Sequence, residues 1–303
     1  MILVVTFGVI HLAPGDPAGA FAGEYATQAT IDSLRHQYGL DRPLAAQFAT
    51  YVGKVAHGDL GTSFAYGRPV TTIIGERLPA TLLLAGTALA LSVIGGILLG
   101  TASARRPSGS LDTGITGCAL LGYAVPGFWL GQLAILFLGL RARLFPVLGM
   151  TDTRIKYVGT NHLVDVAHHL ALPALVLAAS EIALVIRLTR SGLVQQMQEG
   201  YARTAEAKGL KRGDVLSRHA LPNAALPLVT VIGTRVGFLF SGAVIVETVF
   251  SWPGLGLLLV NSVRNGDRPL ALGLVLIVAV SVVLANLITD LVYAWIDPRI
   301  RYD

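Results

Sequence analysis

Two stretches of this chain, 78–104 and 113–140, contain no Asp, Glu, Lys or Arg. A helix rises about 1.5 Å per residue, so about 20 apolar residues cross the ~30 Å hydrocarbon core of a bilayer. Both stretches exceed that length, and 270–289 is a third uncharged run long enough to cross. Two further runs carry one charge each: 170–186 contains Glu181 and 224–246 contains Arg235. These five runs predict five spanning helices.

Composition agrees. Of the 303 residues, 53% are hydrophobic and 14% charged, and the mean hydropathy is +0.64. A soluble domain carries about a quarter of its residues as charged side chains, so a water-facing surface around a soluble core is excluded. The net charge of +5 first suggests nucleic acid, but the basic residues lie between apolar runs and build no basic face. The single cysteine, Cys118, sits inside an apolar run, so neither a disulfide framework nor a CxxC metal motif exists.

Residues 1–13 are also apolar, although as a helix they rise only about 20 Å. The basic leader of a secretory signal is absent, and Pro14-Gly15-Asp16-Pro17 is a poor cleavage site. The segment reads as a sixth spanning helix, 1–14, whose beginning is missing. The expected fold is therefore all-α and polytopic, with six spanning helices and a small extracytoplasmic cap at 15–77. In that cap Ile31, Leu34 and Tyr38 fall on one helical face, Gly39 is a plausible helix end, and Asp59-Leu60-Gly61-Thr62-Ser63 reads as a turn.

Basic residues in short loops set orientation. Arg105 and Arg106 follow the second span; Arg187, Arg190, Arg203, Lys208, Lys211, Arg212 and Arg218 follow the fourth; Arg299 and Arg301 end the chain. Fewer lie on the other side: Arg141, Arg143, Arg154, Lys156, Arg264 and Arg268. The bias places 187–222 and both termini in the cytoplasm.

Within that cytoplasmic loop, 199–208 has a helical pattern of small and charged residues stopped at Gly209, and a second helical stretch, 210–221, ends at Pro222. On composition alone this is an ordinary solvated loop. Residue by residue, however, Tyr201-Ala202-Arg203-Thr204-Ala205-Glu206-Ala207-Lys208-Gly209-Leu210 and His219-Ala220-Leu221-Pro222-Asn223 resemble the EAA loop of ATP-binding-cassette (ABC) importer permeases of the dipeptide, oligopeptide and nickel type. The likeness runs along the chain in order. It includes Pro14-Gly15-Asp16-Pro17, Tyr38-Gly39-Leu40-Asp41-Arg42-Pro43 and Gly58-Asp59-Leu60-Gly61. It continues through Arg187-Leu188-Thr189-Arg190-Ser191 and Glu247-Thr248-Val249-Phe250-Ser251-Trp252-Pro253-Gly254-Leu255-Gly256, and ends with Asp290-Leu291-Val292-Tyr293 and Asp297-Pro298-Arg299.

The resemblance implies a single permease domain over 1–303: a first helix at 1–14, an extracytoplasmic segment at 15–77 and a five-helix core at 78–303 with a coupling loop at 191–222. It implies a transport subunit and not an enzyme, placed in the cytoplasmic (inner) membrane as half of a pathway for short peptides. A second, different permease chain, two ATPase subunits and an extracytoplasmic substrate-binding protein are the implied partners. Glu199, Tyr201, Arg203, Ala205, Lys208, Gly209 and Leu210 would couple to the ATPase, with Ala202, Ala205 and Ala207 allowing close seating. ATP and Mg²⁺ would bind the partner, since none of Lys54, Lys156, Lys208 and Lys211 lies in a GxxxxGK[ST] phosphate loop. A permease of the same type for nickel or another small solute is the alternative cargo reading.

Other residues are weighed on their own. Arg235 and Glu181 lie inside spans, where charge is expensive and faces a cavity or partner; a translocation path and a structural ion pair both fit. With Asp290 they would also suit an ion-coupled secondary transporter. His162, Asp165, His168 and His169 invite a metal reading, but ligand count and spacing are incomplete, and no metal site is expected. Glu247 and Asp290 are expected to hold helix ends. Gly96/Gly100, Gly127/Gly131 and Gly233/Gly237 suit close helix packing, and Trp252 and Trp295 suit interfacial anchors. HExxH and GxSxG are both absent.

Overall fold

The computed structural model describes residues 3–4, 7–8, 27–38, 41–155 and 157–296. Most of the expected first helix, the motif at 14–17, Gly39 and the motif at 297–299 lie outside the described residues, as do the side chains of Ile31, Leu34, Tyr38, Gly237, Asp290 and Trp295. Among the described residues the architecture is helical, with one isolated bridge between Thr62 and Pro69. The cap carries α1 (Gln28–Tyr38) and α2 (Leu44–Ala56). Then come α3 (Val70–Arg105), α4 (Ser110–Ala124) and α5 (Gly127–Ala134), which widens into a π-helical stretch at Ile135–Arg141. They are followed by α6 (Thr160–Gln196), α7 (Gly200–Ala207), and α8 (Arg212–Val215), which continues as a π-helical Leu216–Ala220. The last three are α9 (Leu221–Val249), α10 (Leu255–Arg264) and α11 (Arg268–Ile296).

Among the described residues, three helices are long and apolar enough to cross a bilayer: α3, α6 and the Arg268–Thr289 part of α11, at mean hydropathies of 2.4, 2.0 and 2.8. The chain is a polytopic helical membrane protein. With 36 and 37 residues, α3 and α6 each rise about 55 Å, well beyond the ~30 Å hydrocarbon core. The 224–246 run lies within α9.

The 113–140 run does not form one straight span. It breaks between α4 and α5, whose axes differ by 107°. Pro126 is the cause: it offers no N–H and drives its predecessor out of helical geometry, and Val125 is extended at φ −82°, ψ 129°. Counting charges finds apolar length but does not register a proline inside it.

Contacts divide the chain into two compact units, residues 1–80 with 254–281 and residues 81–253 with 282–303. In the first, Val70, Ile73 and Ile74 of α3 pack with Leu255 and Leu258 of α10 and Leu270 and Leu274 of α11. Asp267, 1% exposed, anchors the polar side of this unit. It accepts Ser63 Oγ at 2.5 Å, the N–H groups of Phe64 and Ala65 at 3.2 and 3.1 Å, and the N–H of Leu270 at 3.3 Å. The last bond makes Asp267 the N-cap of α11. The expected turn at Asp59–Ser63 is present, with Asp59 Oδ1 accepting the Gly61 N–H at 2.8 Å.

In the second unit, Gly96 and Gly100 of α3 lie against Val185 and Thr189 of α6; a Cβ on Gly100 would stand 2.7 Å from that of Thr189. Gly131 lies against Val249 and Phe250, whereas Gly127 has nothing near it and makes no close helix approach. Gly233 of α9 lies against Thr289 of α11. Buried Glu247 accepts Thr81 Oγ1 at 2.6 Å, and its carbonyl accepts the Trp252 N–H at 2.9 Å. Trp252 is fully enclosed by its own chain, which corrects its expected interfacial role: the turn after α9 folds the ring inward.

Candidate coupling helix and intramembrane ion pair

The candidate coupling helix, α7, is built by its ends. Glu199 precedes α7 in extended backbone, φ −69°, ψ 153°, and the N–H of Ala202 returns to its carbonyl at 3.1 Å. At the other end Gly209 turns left-handed at φ +88°. Its N–H donates to the Glu206 carbonyl at 2.9 Å, and that of Leu210 to the Ala205 carbonyl at 3.2 Å. This pair of bonds is a Schellman cap, whose left-handed residue is most easily glycine. The helix expected at 199–208 agrees with α7 to within a residue at each end.

Glu199, Tyr201, Arg203, Lys208, Gly209 and Leu210 are exposed, and Ala205 is half-buried. Tyr201 is held by its hydroxyl, 2.6 Å from Gln196 Oε1 at the end of α6. Ala207 is exposed, but Ala202 is fully buried; it seats the helix on its own chain and is unavailable to a partner. The second helical stretch does not end at Pro222. It passes through the π-helical turn at Leu216–Ala220 into α9, with Pro222 in the first turn, where an N–H is dispensable.

Near the end of α6 an apolar knot gathers Ala104 from α3, Leu193 from α6, Leu216 and Ala220 from the π turn and Ala224 from α9. Beside it in the chain, Asp112 of α4 accepts Arg190 of α6 in a two-point fork, Nε to Oδ1 at 2.6 Å and Nη2 to Oδ2 at 2.7 Å. Asp112 also accepts Ser103 Oγ of α3 and, at 2.7 Å, the N–H of Ser108. Ser108 stands at φ +64°, a strained conformation for a residue with a Cβ. Sequence reasoning missed Asp112. Its one local signal is a carboxylate immediately before an uncharged run.

Glu181 and Arg235 are brought together, Nε to Oε2 at 3.9 Å, with side chains 15% and 35% exposed. They face a cleft closed by Leu89 and Ser92 of α3, Leu188 of α6 and Ile232 of α9. Its volume of ≈ 10 Å³ holds about one water.

The histidines serve loop structure. His169 Nδ1 donates to the Asp165 carbonyl at 2.9 Å and lies 3.2 Å from its carboxylate, which also accepts the Asp152 N–H at 2.9 Å. His168 Nε2 donates to the Leu144 carbonyl at 2.8 Å, and His162 is exposed. The Arg154 guanidinium and N–H hold the Asp152 carboxyl below its usual range. Among the described residues, no three His, Cys, Asp or Glu side chains gather to hold a metal.

The chain resembles known proteins over nearly its whole length. It is 42% identical over 315 residues to the probable D,D-dipeptide transport system permease protein DdpB of Escherichia coli (strain K12), covering 99% of this chain and 92% of that one. It is 39% identical over 302 residues to the oligopeptide transport system permease protein AppB of Bacillus subtilis (strain 168), covering 99% and 94%. The dipeptide transport system permease protein DppB of Escherichia coli (strain K12) is 38% identical over 323 residues, again at 99% and 94%. In fold it superposes on a chain of the MetNI methionine ABC transporter in an inward-facing conformation, at TM-score 0.60 and 14% identity, covering 74% of this chain and 96% of that one. Residues 1–85 match the N-terminal component of binding-protein-dependent transport system membrane proteins. Residues 96–302 match the inner membrane component itself, so the chain belongs to the family of binding-protein-dependent transport system inner membrane components.

Proposed function

We propose that this chain is the permease subunit of an ATP-driven importer of short peptides in the cytoplasmic membrane. It forms half of the path, and a homologous but different permease chain forms the other half. Two ATPase subunits carry ATP and Mg²⁺, and an extracytoplasmic binding protein delivers cargo. The observation that carries this reading is the short exposed helix Gly200–Ala207, stopped by Gly209 at φ +88° and joined to α6 by three residues. The peptide cargo is supported by relatives named for dipeptides and oligopeptides.

The mechanism follows from the connections. Only Met197, Gln198 and Glu199 separate α6 from α7, so a push on α7 reaches a membrane helix without a slack linker. Glu199, Tyr201, Arg203, Ala205, Lys208, Gly209 and Leu210 form the docking face; Arg203 and Lys208 meet acidic groups of the ATPase. Closure of two ATPases displaces the paired α7 helices and shifts the permease between inward- and outward-facing states. Glu181 and Arg235 line the path, where a half-buried charge pair faces a cleft.

Cross-linking tests the docking. In a Cys118→Ser chain, Lys208→Cys is expected to cross-link to a cysteine-bearing ATPase in the assembled complex. Cross-linking from Asp152→Cys instead, with none from Lys208→Cys, contradicts the assignment.

A further inference from the structure

One carboxylate gathers three segments at the cytoplasmic end of the second unit. Asp112 opens α4, and its side chain is 5% exposed. Ser103 near the end of α3 and Arg190 near the end of α6 both donate to it, as does the N–H of Ser108 in the strained turn between α3 and α4. Arg190 lies one helical turn before Leu193, a member of the apolar knot near the end of α6. The polar tie and the apolar knot are therefore successive turns of the same helix.

These two contacts link different partners. The knot joins α6 to α3, the π turn and α9. The Asp112–Arg190 fork adds α4, whose start would otherwise follow α6 through side-by-side packing alone. Two parallel, charge-assisted bonds fix orientation as well as distance. A helix pair joined this way rotates together; one joined by apolar contact slides more freely.

Resting on the permease reading above, we propose that Asp112 and Arg190 are positioning residues for transport: their fork carries the displacement of α7 from α6 into α3 and α4. Without it, ATP turnover at the docked ATPase continues, but α4 and the bent segment after it lag behind α6. The fault is then a loss of transport per ATP, not a loss of assembly.

The test uses the complete importer in proteoliposomes, with a radiolabelled mixture of di- to pentapeptides outside and ATP supplied to the ATPase side. Asp112→Asn keeps the shape but removes the charge, and Arg190→Lys keeps the charge but removes the fork. Each is assayed for assembly, ATP hydrolysis and peptide uptake. Both variants are expected to assemble and to hydrolyse ATP within about twofold of the parent, while uptake per ATP falls about tenfold. Ser103→Ala is expected to fall less.

Unchanged uptake per ATP in either assembled variant overturns the proposal, as does a parallel fall in hydrolysis and uptake with the ratio kept. Failure of both variants to assemble makes the pair a folding element and overturns it too. If only Asp112→Asn fails to assemble, Arg190→Lys decides. A parent complex without ATP-dependent uptake instead defeats the permease reading, a separate result seen before any variant is compared.

Discussion

The guanidinium of Arg190 lies across the carboxylate of Asp112 with both bonds under 2.8 Å, although the residues are 78 positions apart. Removing the cation outright strands a buried carboxylate. Arg190→Ala is expected to lower stability by about 2–3 kcal/mol, and Asp112→Asn combined with it is expected to cost less than the sum of the two. Thermal unfolding in detergent measures both; strict additivity denies a direct interaction.

Gly209 closes α7 in a left-handed conformation, φ +88°, that a Cβ disfavours. Gly209→Ala is expected to cost about 1 kcal/mol at that cap and to fray residues 205–210. Faster amide exchange at Gly209 and Leu210, whose N–H groups make the cap bonds, reads this out. Exchange unchanged at both amides contradicts the cap.

The α3–α6 contact leaves no room for a methyl group. A Cβ on Gly100 would lie 2.9 Å from the Ile186 carbonyl oxygen, a backbone atom that cannot swing aside. Gly100→Ala is expected to cost about 1–3 kcal/mol through overpacking, seen as a lower unfolding temperature. The same change at Gly114, which has open space around it, is the control and is expected to be nearly neutral.

Asp267 ties the turn at residues 63–65 to the start of α11. Asp267→Ala leaves those amides and Ser63 Oγ without their acceptor. A loss of about 2–3 kcal/mol is expected, with faster exchange at Phe64 and Ala65. Exchange faster throughout the chain, with no excess at these amides, argues against a local tie.

Arg235→Gln separates cargo contact from structure. With assembly and ATP hydrolysis intact, a fall in peptide uptake places Arg235 on the path. Unchanged uptake leaves the Glu181 pair as a structural contact between α6 and α9.

What depends on local pattern is legible in the sequence. Apolar length located α3, α6 and the Arg268–Thr289 part of α11, and a glycine after a run of small and charged residues located the end of α7. Proline misleads twice, in opposite directions. Pro126 breaks the 113–140 run because its predecessor turns extended, while Pro222 breaks nothing because it stands in a first helical turn. Trp252 looked interfacial by residue type, yet the turn after Glu247 encloses it. Asp112 and Asp267 were illegible for a different reason: each has a donor far along the chain, 78 and 204 positions away, and no local spacing encodes such a meeting. Of the two, Asp267 had the better signal, an Asp two residues before a proline at a helix start.

Peptide uptake into proteoliposomes tests the central claim most directly. The chain is reconstituted with its second permease, ATPases and binding protein, and uptake of radiolabelled di- to pentapeptides is followed with ATP, without ATP, and with an imposed proton gradient alone. Radiolabelled nickel ion serves as a parallel cargo. The account predicts peptide uptake that requires both ATP and the ATPase subunits. Peptide uptake driven by the proton gradient through this chain alone, or ATP-driven uptake of nickel with none of peptide, would contradict it.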